Sequence, residues 1–208
     1  MKVKICGLSQ KSDIEAVNEA GVDYIGFVFV KTSRRCLSPE KAVELKQYLS
    51  PQIKVVGVFV NEMPEVILNL LEKNIIDMAQ LHGQEDERFI RKLKANTTKP
   101  IIKAISVKSQ KDICKWEQTE ADYLLLDNGA GGTGAKFDWS VIPMIKKSWF
   151  LAGGLSKENV KGALQTDAFA LDISSGVEVD GKKDSKRIKE LVKMIHDYKK
   201  TLTDGRKL

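Results

Sequence analysis

The chain has 208 residues, 42% hydrophobic and 30% charged, with 15 Gly and 5 Pro. That composition is ordinary for one globular domain with a substantial core. The net charge of +6, from 34 basic and 28 acidic side chains, suits a small anionic substrate and is too modest to point to nucleic acid. The longest apolar runs, such as Ile25 to Val30, fall far short of the ~20 residues that span a bilayer, so no membrane partner is expected. The residues after Met1 lead straight into an apolar strand without a secretory pattern, so no targeting segment is expected. The three cysteines, Cys6, Cys36 and Cys114, have neither disulfide nor metal-ligand spacing, which suggests reduced thiols and a cytoplasmic protein.

In chain order, the first predicted strand is Val3–Cys6, followed by a helix with Ile14, Val17 and Ala20 on one face and its end at Gly21. Strand Tyr24–Phe29 leads to a helix opened by Ser38-Pro39-Glu40, an N-cap, a first-position proline and an early acid. Strand Lys54–Phe59 precedes a helix carrying Val66, Ile67, Leu70 and Leu71. Strands Met78–Leu81, Ile101–Ile105 and Tyr123–Asp127 follow, and Asp138 reads as a cap. Strand Trp149–Ala152 runs toward a helix start at Ser156-Lys157-Glu158. Strand Ala168–Ile173 precedes a last helix with Ile188, Leu191, Val192 and Ile195 inward, and the polar tail from Thr201 to Leu208 is expected to fray. Short, nearly continuous apolar strands alternating with amphipathic helices predict parallel strands buried on both faces. Eight such units without a second domain fit a single-domain α/β fold, a (β/α)8 TIM barrel spanning 1–208, better than a doubly wound sheet.

A barrel places its chemistry at the carboxyl ends of the strands. Those ends are Cys6-Gly7, Arg34-Arg35 after strand 2, Asn61, Gln80-Leu81-His82-Gly83, Asp127, Gly153-Gly154 and Ser174-Ser175-Gly176. Gly153-Gly154 alone reads as a tight turn. Together with Ser174-Ser175-Gly176 after the next strand it reads as a phosphate cradle of backbone N–H groups. Cys6 is either a buried structural cysteine or a base at the barrel mouth. Nearby positive charge would bring its thiol below the usual value of about 8.5. Asp127 is a turn former or a proton donor at the foot of a glycine-rich loop, Asn128 to Lys136, that can close over a ligand. Arg34 and Arg35 offer planar forks for a carboxylate or phosphate. His82 stands after strand 4, whereas His196 in the last helix reads as surface. No metal-ligand cluster, Walker loop or dinucleotide fingerprint is present, so neither metal nor cofactor is expected.

Lys4-Ile5-Cys6-Gly7-Leu8, Gly26-Phe27-Val28-Phe29, Ser33-Arg34-Arg35, Val56 to Asn61 and Gln80-Leu81-His82-Gly83 are similar to the motifs of phosphoribosylanthranilate isomerases. So are Leu126-Asp127, Gly131-Gly132-Thr133-Gly134 with Phe137-Asp138-Trp139, Ala152-Gly153-Gly154-Leu155 and Asp172 to Glu178. The resemblance covers Val3 to about Ile195, in order and at family spacing, and the ordered set is far more specific than any one motif. It implies a cofactor-free Amadori rearrangement of a small phosphorylated substrate by a monomer or homodimer. Asp127 would be the general acid that opens the ribose ring, and Cys6 the general base at C2. Arg35 would hold the anthranilate carboxylate, and Gly153, Gly154, Ser174, Ser175 and Gly176 the phosphate, with His82 and Asp172 also binding substrate. Arg34 stands where many relatives carry proline and Cys36 where an aromatic is common, which leaves open which arginine grips the carboxylate. Among rivals, a related sugar isomerase acting on histidine precursors would carry aspartate at the position of Cys6. Indole-glycerol-phosphate synthase would carry an N-terminal extension and catalytic lysines, and a non-catalytic phosphate-binding barrel would not need Cys6 and Asp127 at opposed strand ends.

Overall fold

The structure, a computed structural model, describes residues 1–128 and 138–204, with side chains through 198. The loop glycines Gly131, Gly132 and Gly134 with Phe137, and residues 205–208 of the tail, lie outside the described residues.

Eight parallel strands close into a barrel in sequence order, each paired with the next and the eighth with the first. They are β1 (Lys2–Cys6), β2 (Tyr24–Val28), β3 (Lys54–Phe59), β4 (Met78–Leu81), β5 (Ile101–Ser106), β6 (Tyr123–Asp127), β7 (Trp149–Leu151) and β8 (Ala170–Ile173). Between them run α1 (Lys11–Ala20), α2 (Pro39–Lys46), α3 (Pro64–Glu72), α4 (Glu87–Lys94), α5 (Gln110–Cys114) and α6 (Val160–Ala163). After β8 come a two-stranded hairpin, β9 (Glu178–Val179) with β10 (Lys182–Lys183), and then α7 (Ser185–Asp204).

Local chemistry explains the helix ends. The Ser38 hydroxyl accepts from the Lys41 amide at 3.2 Å with Pro39 at the first turn of α2. Gly21 closes α1 in the left-handed conformation at φ 70°. Several boundaries differ from the sequence expectation by one or two residues, and two larger differences flank β7. Helix α6 starts at Val160 rather than at Ser156, because Asn159 Oδ1 accepts from the Ser156 amide and its Nδ2 donates to the Gly154 carbonyl, closing a turn there. Asp138 caps a single 3-10 turn, Trp139–Val141, and among the described residues no α-helix separates β6 from β7.

Side-chain alternation divides the core into two shells. One face of the strands gathers Tyr24, Val56, Met78, Ile102, Leu125, Phe150 and Ala170 inside the barrel. The other face packs Val3, Ile25, Val55, Ala79, Ile101, Leu124 and Leu171 against helix residues such as Ile14, Ile67, Ile90 and Leu191. Among the described residues no helix is long and apolar enough to cross a membrane.

The amino ends of the strands are tied by a repeated device. Asp23, Asp77 and Asp122 each stand just before an even-numbered strand and accept the backbone N–H at the start of the preceding odd-numbered one. The acceptor bonds run from Val3 at 2.9 Å, Val55 at 2.8 Å and Ile101 at 2.8 Å. These aspartates pin barrel stagger on the face opposite the carboxyl ends. Asp77→Ala strands the buried Val55 amide without its acceptor and is expected to cost about 1–3 kcal/mol. Urea unfolding measures this, and an unchanged midpoint would show the tie to be idle.

Candidate active site

The carboxyl ends of the strands surround one cavity. Its walls include Cys6 from β1, Val28 and Arg35 from β2 and its loop, Val58 from β3, Gln80 and His82 from β4, Asp127 from β6, Gly153 and Gly154 after β7, and Asp172, Ser174 and Ser175 from β8 and its loop. Of the residues to which the resemblance assigns a role, Gly176 alone is missing from this lining. A Cβ on Gly176 would collide with the Leu155 carbonyl, so it lets the β8 loop press against the β7 loop rather than facing the cavity. Arg34 also stays outside the lining, with its side chain 58% exposed, whereas that of Arg35 is 12% exposed.

Cys6 pairs across the sheet with Gly26. A Cβ on Gly26 would stand 2.5 Å from the Cys6 sulfur, so the thiol occupies the space a side chain on β2 would have filled. Two residues earlier on the same inward face lies Lys4, fully buried, with its ammonium 2.9 Å from both carboxylate oxygens of its register partner Asp172. Burial pushes the Cys6 thiol up; Lys4 and Lys183 pull against it, Asp172 adds to the rise, and the net direction is upward. The expectation of a thiol lowered by neighbouring cations is thereby reversed, because desolvation of the thiolate outweighs them.

Arg35 is held by a carboxylate the sequence reading passed over. Its Nε and Nη2 donate to the two oxygens of Glu178 at 2.7 and 2.9 Å. Lys183 donates to the same carboxylate at 2.6 Å and to the Ser174 carbonyl at 2.9 Å, and Arg34 to Glu178 Oε2 at 2.7 Å. Burial pushes Glu178 up, but hydrogen bonds from Arg35 and Lys183 win and hold it below the usual carboxylate range. The Glu178 hydrogen bond raises Arg35 further, while burial draws Lys183 down despite its partner. With the Nε side of its fork taken, Arg35 keeps its terminal Nη1–Nη2 edge for another anion.

Across the mouth, His82 Nε2 lies 3.3 Å from Asp127 Oδ2, and Gln80 Nε2 lies 2.8 Å from His82 Nδ1. With the Gln80 amide as donor, Nδ1 accepts, and Nε2 is the ring nitrogen that faces Asp127. The Asn128 amide donates to the other Asp127 oxygen at 2.7 Å. Gly153 and Gly154 adopt φ of 90° and 62°, a left-handed conformation that glycine enters without a Cβ penalty. The tight turn and the exposed backbone of the β7 loop are therefore one feature, not two rival readings. Among the described residues no group of three or more His, Cys, Asp or Glu could hold a metal ion.

Glu178, Lys183, Lys4 and Gln80 were missed as site residues. For Lys4 a signal existed: in Val3-Lys4-Ile5-Cys6 it has the parity of Cys6 and so shares its inward face. Gln80 was read at a strand end without a role, and the partnership of Glu178 with Arg35 and Lys183 becomes visible only once the barrel closes. Gly26→Ala should lower stability by about 1–3 kcal/mol through overpacking and change the alkylation rate of Cys6 while leaving exposed Cys36 unchanged. Denaturant titration and mass spectrometry of the labelled protein read both, and a stable variant with native Cys6 reactivity would contradict the packing described.

The family model for N-(5'-phosphoribosyl)anthranilate (PRA) isomerase matches residues 3–194. An N-(5'-phosphoribosyl)anthranilate isomerase of Endomicrobium trichonymphae is 41% identical over 199 residues, covering 93% of this chain and 98% of its own. The crystal structure of the phosphoribosylanthranilate isomerase from Thermus thermophilus superposes with a TM-score of 0.87 at 31% identity, over 95% of this chain and 100% of that one. A second crystal structure, of an enzyme of the same name in complex with reduced 1-(o-carboxyphenylamino)-1-deoxyribulose 5-phosphate, superposes at 0.78 with 36% identity, over 93% and 97% of the two chains. With a shared barrel, near-complete coverage and a family match across nearly the whole sequence, this chain belongs to the phosphoribosylanthranilate isomerase family.

Proposed function

We propose that this chain converts N-(5'-phosphoribosyl)anthranilate to 1-(2-carboxyphenylamino)-1-deoxyribulose 5-phosphate, a step of tryptophan biosynthesis, with Asp127 as general acid and Cys6 as general base. The observation that carries the reading is the meeting of Cys6, Asp127, Arg35 and the β7 and β8 loops in one cavity. That arrangement offers a proton donor, a proton acceptor and separate grips for two anions.

The chemistry follows from the order of bonds. Asp127 protonates the ribose ring oxygen, the C1–O bond breaks, and the anilino nitrogen supplies the electrons of the Schiff base. Cys6, as thiolate, takes the proton from C2 to leave an enolamine. Tautomerisation gains a proton at C1 and makes the ketone at C2. The phosphate sits on backbone amides of the Gly153-Gly154 and Ser174-Ser175 loops, and Arg35 holds the aryl carboxylate with its free edge. These grips lie away from the reacting carbons, so their binding energy aligns C2 with sulfur. His82 and the Asn128 amide, each on one Asp127 oxygen, orient the acid.

A fluorescence assay that follows loss of the anthranilate-type signal from freshly made substrate tests the activity. Asp127→Asn should retain product affinity and lose roughly 10²–10⁴-fold in kcat; turnover within about tenfold of wild type removes Asp127 from the mechanism. Cys6→Ser should abolish nearly all turnover, with Cys36→Ser and Cys114→Ser active. The working form of Cys6 is the thiolate and burial raises its pKa, so the rate of Cys6 alkylation in a Cys36→Ser/Cys114→Ser background should still be climbing at pH above about 8.5, the free thiol value. A plateau reached below that pH contradicts a thiol raised by burial. Gly154→Val should raise KM strongly with circular dichroism unchanged, because bulk at that backbone keeps phosphate oxygens away; unaltered phosphate affinity places the anion elsewhere.

A further inference from the structure

The interior of the barrel is apolar at the level of Tyr24, Val56, Met78, Ile102, Leu125 and Phe150. Lys4 breaks that pattern as a fully buried cation. A buried ion pair adds little to stability over well-packed apolar side chains, since desolvation of both charges offsets their attraction. The position of Lys4 gives the pair another use. Side chains two apart on a strand share a face, so Lys4 lies directly below Cys6, and its charge acts to lower the pKa of the thiol. Asp172 binds that ammonium through both oxygens. A lone lysine at such a site would shed its proton; Asp172 keeps it charged, and its pKa is raised in spite of burial.

We propose that Lys4 is a positioning residue for the base: its ammonium, anchored by Asp172, is the standing counter-charge that makes a Cys6 thiolate tenable at the buried end of β1. The other charged groups around the thiol are arranged differently. Lys183 comes from the β9–β10 hairpin and is tied to Glu178, Arg35 comes from the β2 loop and is tied to the same carboxylate, and Asp127 and His82 stand together on the walls supplied by β6 and β4. Val28 and Val58 complete the packing beside the sulfur. Arg35 lines the cavity and meets a bound anion in the proposed complex, and Lys183 is committed to Glu178, whereas Lys4 is sealed beneath the site and keeps its charge for the sulfur throughout turnover.

The test is the pH dependence of Cys6 carboxamidomethylation by iodoacetamide, in a Cys36→Ser/Cys114→Ser background that leaves one thiol. Lys4→Met should raise the inflection by about 1–3 pH units, the usual effect of one close opposite charge. At a fixed pH below both inflections the same change reads as slower labelling, about tenfold per pH unit. Lys4→Arg keeps the charge and should leave the profile near that of the parent. Lys4→Met leaves Asp172 buried alone and can fail to fold. The double variant Lys4→Met/Asp172→Asn removes both charges and should also move the inflection upward. An inflection in the folded double variant equal to or below that of the parent overturns the proposal, as does a Lys4→Arg profile displaced as far as that of Lys4→Met. The inference rests on Cys6 acting as the base, yet its readout needs no turnover. An active Cys6→Ser enzyme would sink the base assignment and leave the shift standing, whereas an unmoved inflection would sink the role of Lys4 alone.

Discussion

The pairing of β1 with β8 closes the barrel, and the arrangement at its mouth depends on the register of that closure. Lys4 lies opposite Asp172 and Ile5 opposite Ile173, so the Ser174 hydroxyl reaches the Cys6 carbonyl at 3.1 Å. A slip of one residue would turn every side chain of β1 to the other face. It would exchange Cys6 and Lys4 for apolar neighbours and leave Asp172 buried without a cation. The register is thus held by two interactions of different kinds, the backbone ladder and a buried ion pair whose loss is expensive once its partner is in place. At the other end of the barrel, Asp23, Asp77 and Asp122 hold the strand starts. The site is suspended between fixed backbones rather than built on loops alone.

The second organising feature is the separation of charge by depth. Glu178 gathers Arg34, Arg35 and Lys183 into one cluster, an excess of positive charge that Arg35 carries to the cavity wall, where it suits an anion. Below it, Lys4 is sealed from solvent and anchored by Asp172, which reaches the cavity wall. Between the two layers sits the Cys6 thiol, raised by burial. A thiol that titrates high is a strong base once ionised and a scarce one at neutral pH. Opposed charges above and below it govern that compromise. The same logic applies to Lys103 and Glu85, buried together behind the β4 loop with a 3.2 Å contact. Glu85 there accepts the Asn61 and Gly83 amides at 2.6 and 2.8 Å and thereby fixes the backbone beside His82.

Much of the frame was legible in the sequence. Runs such as Lys54–Phe59 and Ile101–Ile105 carry the continuous apolar character of strands covered on both sides, and Ser38-Pro39 and Gly21 mark helix ends by chemistry local to the chain. Strand ends could be read because a polar residue after an apolar run, as at Cys6 and Asp127, is a local event. What escaped were relations between distant residues. Glu178 and Arg35 are 143 positions apart, and nothing in either neighbourhood announces their pairing. The direction of the Cys6 shift escaped for a related reason: counting nearby cations is possible from a sequence, whereas the desolvation that outweighs them depends on closure of the barrel around the sulfur. Helix α6 was placed too early because Ser156 has the chemistry of a cap, and only the three-dimensional reach of Asn159 diverts it into a turn.

The central claim is that one orientation of substrate sets its C2 on Cys6 and its ring oxygen on Asp127, with the phosphate and carboxylate grips defining that orientation. The most direct measurement is a crystal structure of this chain with a non-reacting product analogue that carries both the phosphate and the aryl carboxylate. The account predicts phosphate oxygens on the amides of the Gly153-Gly154 and Ser174-Ser175 loops and the carboxylate on the terminal edge of Arg35. It also predicts C2 within about 3–3.5 Å of the Cys6 sulfur, the separation of a reactive geometry. An analogue bound in the reverse sense, with its phosphate at Arg35 and its C2 on the far side of the cavity from Cys6, would contradict it.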